Sequence, residues 1–470
     1  MQSAIKFGTD GWRAVMAEEF TFANVRKVAW ALADWISKKA PGAPVFVGFD
    51  RRFASREFAE EAASVLAGAG CETHLAAETL PTPALSFLAK KHRAYALVVT
   101  ASHNPPLHNG LKIKTPDGAS APVRLTREIE SLLSLAPETP ARVRCLRNKT
   151  LRSEYAAHLI KLAQPLRRKL KGKKIVVDYF HGSGAGFLEE ALGNASVIAL
   201  RRERDPEFGG IAPEPVEKNL TALKTEVKKS RALIGVALDG DGDRISLIDE
   251  AGSYLAPTTV FAMYAYYFAL VRREKGEIVQ GVSLGYLGER IASKANLPFT
   301  WVSVGFKNIA EKMVGGGVLL GGEESGGYAL GRMIPDRDGS VNAILMLQIL
   351  LDLNLKPTEL VKKIFKEFGP SYYERYDIHL ERPVAPDEFR KTCFDELLPK
   401  LESNGFEQER KITIDGLKVF FTNGSWLLLR PSGTEPLLRV YAEAPSKKLT
   451  KELLGLAASW AQEKLCRNGQ

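Results

Sequence analysis

The stretch ALIGVALDGDGDRISLIDE, Ala232 to Glu250, places acidic residues at the first, third, fifth and twelfth positions of a window that begins at Asp239. That is the ligand spacing of an EF-hand calcium loop, but such a loop needs glycine at its sixth position and a helix on either side. Arg244 stands at the sixth position, and the flanks ALIGVAL and ISLIDE are short apolar runs of the kind that form strands. The reading that survives is a strand, a glycine-punctuated turn and a second strand. In an extended segment a spacing of two puts the carboxylates of Asp239, Asp241 and Asp243 on one side, and Gly240 and Gly242 let the backbone fold closely around an ion. Three hard oxygen ligands suit Mg²⁺, which keeps positions open for water or a phosphoryl oxygen. The competing reading is an acidic turn whose aspartates only cap the backbone. Three carboxylates in one turn repel one another unless a cation is present, which favours a metal.

The same strand, turn and helix order recurs on both sides of this stretch. PVFVGFD (Pro44–Asp50) precedes SREFAEEAASVLAGAG, AYALVVT (Ala94–Thr100) precedes a polar turn, and KKIVVDYFHGSGAGFLEEAL and GEIVQGVSLGYLGERIASKA repeat the pattern. Such alternation predicts α/β units with mixed, largely parallel sheets. After about residue 366 the texture changes to strand runs with turns at Asp415-Gly416 and Asn423-Gly424, then one helix, which predicts a smaller α+β domain joined through Gly369-Pro370. A chain of 470 residues is too long for one core. The expected domains are 1–150, 151–250, 251–366 and 367–470.

Composition narrows the function classes. The net charge of +10 and pI near 9.2 attract anions, yet the basic run LRRKLKGKK (Leu166–Lys174) has no aromatic-rich strand beside it and no nucleic-acid-binding signature appears. A phosphorylated small molecule accounts for the basic balance as well as nucleic acid does. The longest apolar run, VFAMYAYYFALV (Val260–Val271), is too short for a bilayer and reads as a buried helix. The start, MQSAIKFGTDGW, has no apolar signal core, and Cys71, Cys145, Cys393 and Cys466 form no zinc or disulfide pattern. A cytoplasmic protein with no membrane partner is expected.

Four further loops carry chemistry. TASHNPPLHNGLKIK follows a strand, so Ser102 falls in the turn beyond a strand's carboxyl end, where open α/β sheets bind ligands. With His103 beside it and Lys112 nearby, it has the parts of a nucleophile, a proton carrier and a cation for phosphate. In GGEESGGYALG (Gly321–Gly331), Glu323 and Ser325 alternate on an expected extended backbone, good geometry for adjacent sugar hydroxyls. RPSGTEP (Arg430–Pro436) gathers an arginine, two hydroxyls and glycine-turn N–H groups into an anion nest. FGTDGWRA (Phe7–Ala14) offers another glycine turn with Arg13. Each loop alone also reads as an ordinary polar turn.

Taken together, in this order, FGTDGWR, TASHNP, DGDGDR, VGFKNI (Val304–Ile309), GEESGG and RPSGTEP resemble the α-D-phosphohexomutase superfamily, the phosphoglucomutases and phosphomannomutases, across essentially the whole chain. The resemblance implies that Ser102 is the phosphoserine and that Asp239, Asp241 and Asp243 hold one Mg²⁺ with a phosphoserine oxygen. Arg244 then orients the site, while Glu323 and Ser325 grip sugar hydroxyls. Arg430, Ser432, Gly433 and Thr434 hold the phosphate that is not reacting, and Gly305 and Lys307 contact sugar or phosphate. Arg13 joins the catalytic set. A hexose 1,6-bisphosphate is the implied intermediate and activator, glucose the first sugar and mannose the second. Phosphoglucosamine mutase and a non-catalytic sugar-phosphate binder are the alternatives. Four loops around one cleft, a closing C-terminal domain, and a monomer or homodimer are implied with it. One departure stands out: where many relatives carry a histidine after the sugar motif or before an IP…DG segment, this chain has Gly327 and Met333. His103 and Lys112 become the candidates for proton transfer and charge stabilisation.

Overall fold

The structure is a computed structural model that describes residues 5–193, 196–381, 383–432 and 436–465. Chain compactness separates two bodies, Met1–Leu255 with Gly305–Leu360, and Ala256–Val304 with Val361–Gln470, so the segment read as a third domain contributes to both.

The first body holds two mixed sheets. In one, the strands Val45–Phe49, Thr73–Ala76, Tyr95–Val99 and Arg147–Asn148 run parallel, and His108–Lys114 and Trp12–Val15 extend the sheet antiparallel at one edge. In the other, Ile175–Asp178 lies parallel to both Val197–Leu200 and Ile234–Leu238, with Ile245–Ile248 and Tyr254–Leu255 added antiparallel. The central strands are continuous apolar runs because helices cover both faces: all five residues of Val45–Phe49, Tyr95–Val99 and Ile234–Leu238 are buried. Helix Phe22–Lys39 shows why such helices form where they do. Thr21 accepts a hydrogen bond from the Asn24 amide at 3.3 Å, Val25, Val28, Ala29, Leu32 and Ile36 make one buried stripe, and Lys38 and Lys39 end the last turn against the helix dipole. Helix Gly339–Leu353 is capped by Asp338 and buried on nearly every side.

The second body carries the parallel pair Glu277–Gly281 and Phe299–Val302 and a five-stranded antiparallel sheet in the order Tyr372–His379, Leu437–Ala444, Trp426–Pro431, Leu417–Phe421, Gln408–Ile412. Both expected hairpins form, with Gly416 and Gly424 in the left-handed region at their turns. The Val260–Val271 run is a buried helix that widens into a π-helical turn from Tyr266. Among the described residues no helix is long and apolar enough to cross a membrane, and Cys71, Cys145 and Cys393 carry free thiols; Cys466 lies outside the described residues.

Candidate active site

Ser102 sits just past the strand Tyr95–Val99, buried, with a left-handed backbone (φ 54°) that is uncommon for serine. Surrounding bonds hold it there. Its amide donates to Thr100 Oγ1 at 2.9 Å, and Arg52, almost wholly buried, fans its guanidinium over the carbonyls of Ser102, Asn104, Pro105 and His108 at 2.6–3.1 Å. Asp50 in turn accepts from Thr100 Oγ1 (2.6 Å) and Ser55 Oγ (2.7 Å) and lies 3.3 Å from Arg52 Nε. This framework orients the Ser102 hydroxyl, which donates to Asp239 Oδ2 at 2.8 Å and lies 3.4 Å from His103 Nδ1. Burial, with Arg244 and Arg13 nearby, holds the His103 ring well below its usual range, so it is neutral near pH 7. Arg13 reaches the same loop by donating to Asn104 Oδ1 at 2.9 Å.

Asp239, Asp241 and Asp243 are fully buried, and each offers an oxygen within 4.8 Å of the others. They converge on the expected glycine-punctuated turn between two strands, and not by alternation along extended backbone. The turn is closed by the Gly242 amide on the Asp239 carbonyl (3.0 Å) with Gly242 at φ 73°. Gly240 makes the approach of the Ser102 loop possible: a Cβ there would lie 2.5 Å from the Ser102 carbonyl. A cation is already among the carboxylates. Lys112 Nζ lies 2.7 Å from Asp10, 2.8 Å from Asp241 and 3.0 Å from Asp243. Burial opposes its charge, but the three carboxylates outweigh burial and raise its pKa, so Lys112 is a fixed ammonium. Burial also opposes ionisation of Asp241, yet Lys112 and Thr82 Oγ1, 2.5 Å away, hold its carboxyl low. Asp239 has no ammonium bonded to it, and burial plus its two acidic neighbours push it well up against the pull of Arg244. Asp241 Oδ1 and Asp243 Oδ1 are buried and accept no hydrogen bond. Unsatisfied buried carboxylate oxygens are costly, and a set of hard oxygens of this kind fits a divalent cation that would supply the missing contacts.

Glu323 ends the strand Val318–Glu323, but Ser325 is not on extended backbone as expected. It lies in the hairpin turn that Gly326 closes at φ 84°, and its hydroxyl donates to Glu323 Oε1 at 2.6 Å. The turn thus sets the pair side by side. Arg337 was not singled out by sequence reasoning, and it ties three loops together. It donates to Glu323 Oε1 (3.0 Å), Asp243 Oδ2 (2.7 Å) and Asp10 Oδ2 (2.5 Å) while only 4% exposed. Gly327 makes room for it, since a Cβ there would lie 2.2 Å from Arg337 Cδ. The space beside Gly327 is taken up by an arginine arriving from ten residues further along the sequence. Arg244 gives its amide to Asp239 Oδ1 at 3.1 Å and places Nη1 3.7 Å from Glu214. Gly305 caps helix Phe306–Val314 beside Thr9 of the N-terminal loop, and Lys307 lies in the helix's first turn.

In the second body, Arg430 lies next to the end of the strand Trp426–Pro431 and donates through Nε to Asp415 Oδ1 at 2.9 Å, while Asp415 Oδ2 accepts from the Val304 amide. The Ser432 amide donates to the Leu437 carbonyl at 2.7 Å. Gly433 and Thr434 lie outside the described residues.

The sequence reading also missed Asp10, Asp50, Arg52 and Thr82. A signal existed for Arg52 and Asp50 in GFDRRFAS (Gly48–Ser55), where consecutive arginines follow a strand end, but only the fold shows which one turns inward.

Family profiles described as phosphoglucomutase/phosphomannomutase match the chain in four consecutive parts: alpha/beta/alpha domain I over residues 4–138, domain II over 153–252, domain III over 257–368, and the C-terminal domain over 389–456. A phosphoglucomutase/phosphomannomutase of Thermococcus kodakarensis is 29% identical over 98% of this chain and 99% of its own. A phosphopentomutase of the same organism is 30% identical over 96% and 97%, and a phosphoglucosamine/phosphogalactosamine mutase of Sulfurisphaera tokodaii is 30% identical over 95% and 97%. Among solved structures, a Thermus thermophilus protein named as a phosphomannomutase superposes with a TM-score of 0.83 at 29% identity, covering 98% of this chain and all of the other. With four consecutive domain matches and full-length relatives that are all mutases, the chain belongs to the phosphoglucomutase/phosphomannomutase family of the α-D-phosphohexomutase superfamily.

Proposed function

We propose that the protein interconverts hexose 1-phosphate and hexose 6-phosphate, with glucose the first sugar and mannose the second, through phosphorylated Ser102 and a hexose 1,6-bisphosphate. The observation that carries this reading is the 2.8 Å bond from Ser102 Oγ to Asp239 at the rim of a buried acidic turn with two unsatisfied oxygens. A phosphoacceptor and a cation-binding group placed together serve phosphoryl transfer better than binding alone.

In this reading Asp239, Asp241 and Asp243 hold Mg²⁺, which when bound neutralises charge on the phosphoryl group in transfer. Everything else falls to the chain. The sugar hydroxyl attacks phosphorus in line, the bond from phosphorus to Ser102 Oγ breaks, and the mirrored step returns the other phosphate to Ser102. Arg52 and Asp50 fix the serine loop so that attack and leaving oxygens align, a positioning effect that supplies much of the rate. Lys112 holds a permanent positive charge beside the acidic turn. His103, with Nδ1 3.4 Å from Ser102 Oγ, is a candidate for proton transfer. Glu323 and Ser325 receive the sugar hydroxyls, and Arg430 and Ser432 receive the distal phosphate.

The named relatives favour a second reading as strongly. One is a phosphoglucosamine/phosphogalactosamine mutase and another a phosphopentomutase at the same identity, so the sugar is the open term. The decisive experiment follows conversion of glucose 1-phosphate to glucose 6-phosphate with Mg²⁺ and a trace of glucose 1,6-bisphosphate, beside mannose, glucosamine and pentose phosphates. Ser102→Ala is expected to lose at least about 10³-fold of whichever activity is found, without a change in Tm. Full activity in that variant rules out the phosphoserine route. Turnover of the amino sugar alone moves the assignment to the second reading.

A further inference from the structure

Both terminal nitrogens of the Arg52 guanidinium are committed to carbonyls of the Ser102 loop, and its Nε faces Asp50. Such bonds lie in the plane of the group and leave its faces open, where water competes for the donors. One face is closed by Phe208, a fully buried ring whose centroid lies 4.8 Å from Arg52 Cζ. A ring over a guanidinium face adds cation–π attraction and resists tilting out of the plane.

The backbone is bent unusually to place that ring. Phe208, Gly209 and Gly210 follow one another in the left-handed region, at φ 53°, 68° and 79°. The glycines adopt it freely, whereas the Cβ of Phe208 opposes it. Asp205 holds the turn, accepting from the Glu207 amide at 3.0 Å and the Gly209 amide at 2.9 Å. A reciprocal pair of bonds then ties this segment to the other side of the contact: Arg51 Nη1 donates to the Arg202 carbonyl at 2.6 Å, and Arg204 Nη2 to the Arg52 carbonyl at 3.3 Å. Ring and guanidinium are thus held together from their backbones as well as face to face. A strained residue persists only where its surroundings over-determine it, and such residues cluster at functional sites. A second pair in the same body supplies the contrast. Arg152 Cζ lies 4.6 Å from the centroid of Phe187, also buried, but Arg152 gives its N–H groups to Glu190 rather than to the Ser102 loop.

We propose that Phe208 is a positioning residue for phosphoryl transfer. By holding the plane of Arg52 it keeps the Ser102 loop, and with it the Ser102 hydroxyl, in place beside Asp239. It acts through Arg52 and meets no reacting atom. Its effect on turnover rests on the mutase reading, and its effect on the loop does not.

The test compares Phe208→Leu, which keeps an apolar side chain and removes the ring face, with Phe187→Leu in the full chain. Hydrogen exchange is followed by mass spectrometry over residues 101–109, where the amides of Ser102, Asn104 and His108 are bonded. Phe208→Leu is expected to speed exchange there at least about fivefold, and Phe187→Leu to leave it within about twofold of wild type. On whichever sugar phosphate is converted, Phe208→Leu is expected to lower kcat per folded molecule about tenfold with KM within about twofold of wild type. In an Arg52→Lys background the same change is expected to cost less than about twofold more, because the ring then has no guanidinium to hold. Arg204→Ala, on an exposed side chain, loosens the same contact and is expected to move exchange and kcat in the same direction by at least about twofold, which keeps the test decisive where Phe208→Leu does not fold. Unchanged loop exchange, equal changes in Phe187→Leu, or full additivity with Arg52→Lys overturns the proposal. Faster loop exchange in a protein that converts no sugar phosphate removes the mutase reading and leaves Phe208 as the support of the Ser102 loop.

Discussion

Two buried clusters of charge, one in each body, look alike in composition and differ in use. In the second body Lys418 is fully buried and gives its ammonium to the carbonyls of Val282 and Leu284 at 2.8 Å each, with the faces of Trp426 and Trp301 3.7 and 4.0 Å away. Glu443, equally buried, accepts from the Tyr286 amide (2.8 Å), Trp426 Nε1 (2.5 Å) and the Ser371 hydroxyl. In the first body Lys112 and Arg337 face Asp10, Asp241, Asp243 and Glu323. Both clusters unite cations and carboxylates out of water. The Lys418 cluster gives Lys418 and Glu443 short contacts within the fold, whereas the acidic turn leaves Asp241 Oδ1 and Asp243 Oδ1 unmatched. A satisfied buried network specifies one packing, while an unsatisfied one is a place prepared for something else.

That contrast can be broken experimentally. The largest effect is expected in the first cluster: Asp241→Asn should lower mutase turnover by about 10³-fold, read in the coupled assay, because it removes an unmatched oxygen and the partner of Lys112. Without divalent metal, wild type should unfold at a lower temperature than with it. Equal melting with and without Mg²⁺ would remove the distinction between the two clusters. Lys418→Met should do the opposite, destabilising by about 1–3 kcal/mol in denaturant titration because the buried carbonyls of Val282 and Leu284 lose their donor, while turnover per folded molecule stays near wild type.

Smaller effects sharpen the picture. Arg337→Lys keeps the charge but cannot bond Glu323, Asp243 and Asp10 at once, so about a 10–10²-fold drop in turnover is expected, with a rise in KM from the displaced Glu323. Unchanged KM would confine Arg337 to the metal turn. The smallest effect concerns Asp338, whose carboxyl burial pushes up to about 7 from an ordinary value near 3.8. A raised carboxyl contributes stability that is full below the unfolded value and is lost as pH rises through the folded one, here between about 4 and 7. Asp338→Asn, which keeps an acceptor for the Val341 amide, should therefore gain on wild type by a few degrees in Tm between pH 4 and pH 8. A parallel pH dependence in both proteins would show that Asp338 does not titrate there.

Much of this was legible in the residues. The alternation of apolar runs and glycine turns predicted parallel α/β units before residue 366 and hairpins after it, because strand burial and turn conformation are local demands that residue type meets directly. The site was legible where several chemical groups share one short segment, as in the acidic turn and the Ser102 loop. It was not legible where partners come from distant segments. Arg337 meets Asp10, and Lys112 meets Asp241, across more than a hundred residues, and no local pattern marks which arginine or lysine turns inward. Gly327 illustrates the same limit, since its lack of a side chain reads as a missing group until Arg337 is seen beside it.

The sequence by itself determined the order of the strands and helices, the family and the groups available for phosphoryl transfer, since these depend on residue type and spacing. Tertiary structure alone decided that the Ser102 loop packs against the acidic turn, that Lys112 is a fixed ammonium among the three aspartates, and that two carboxylate oxygens are left without a partner. The physical reason is that charge state and hydrogen-bond satisfaction depend on burial and on the geometry of groups far apart in the chain.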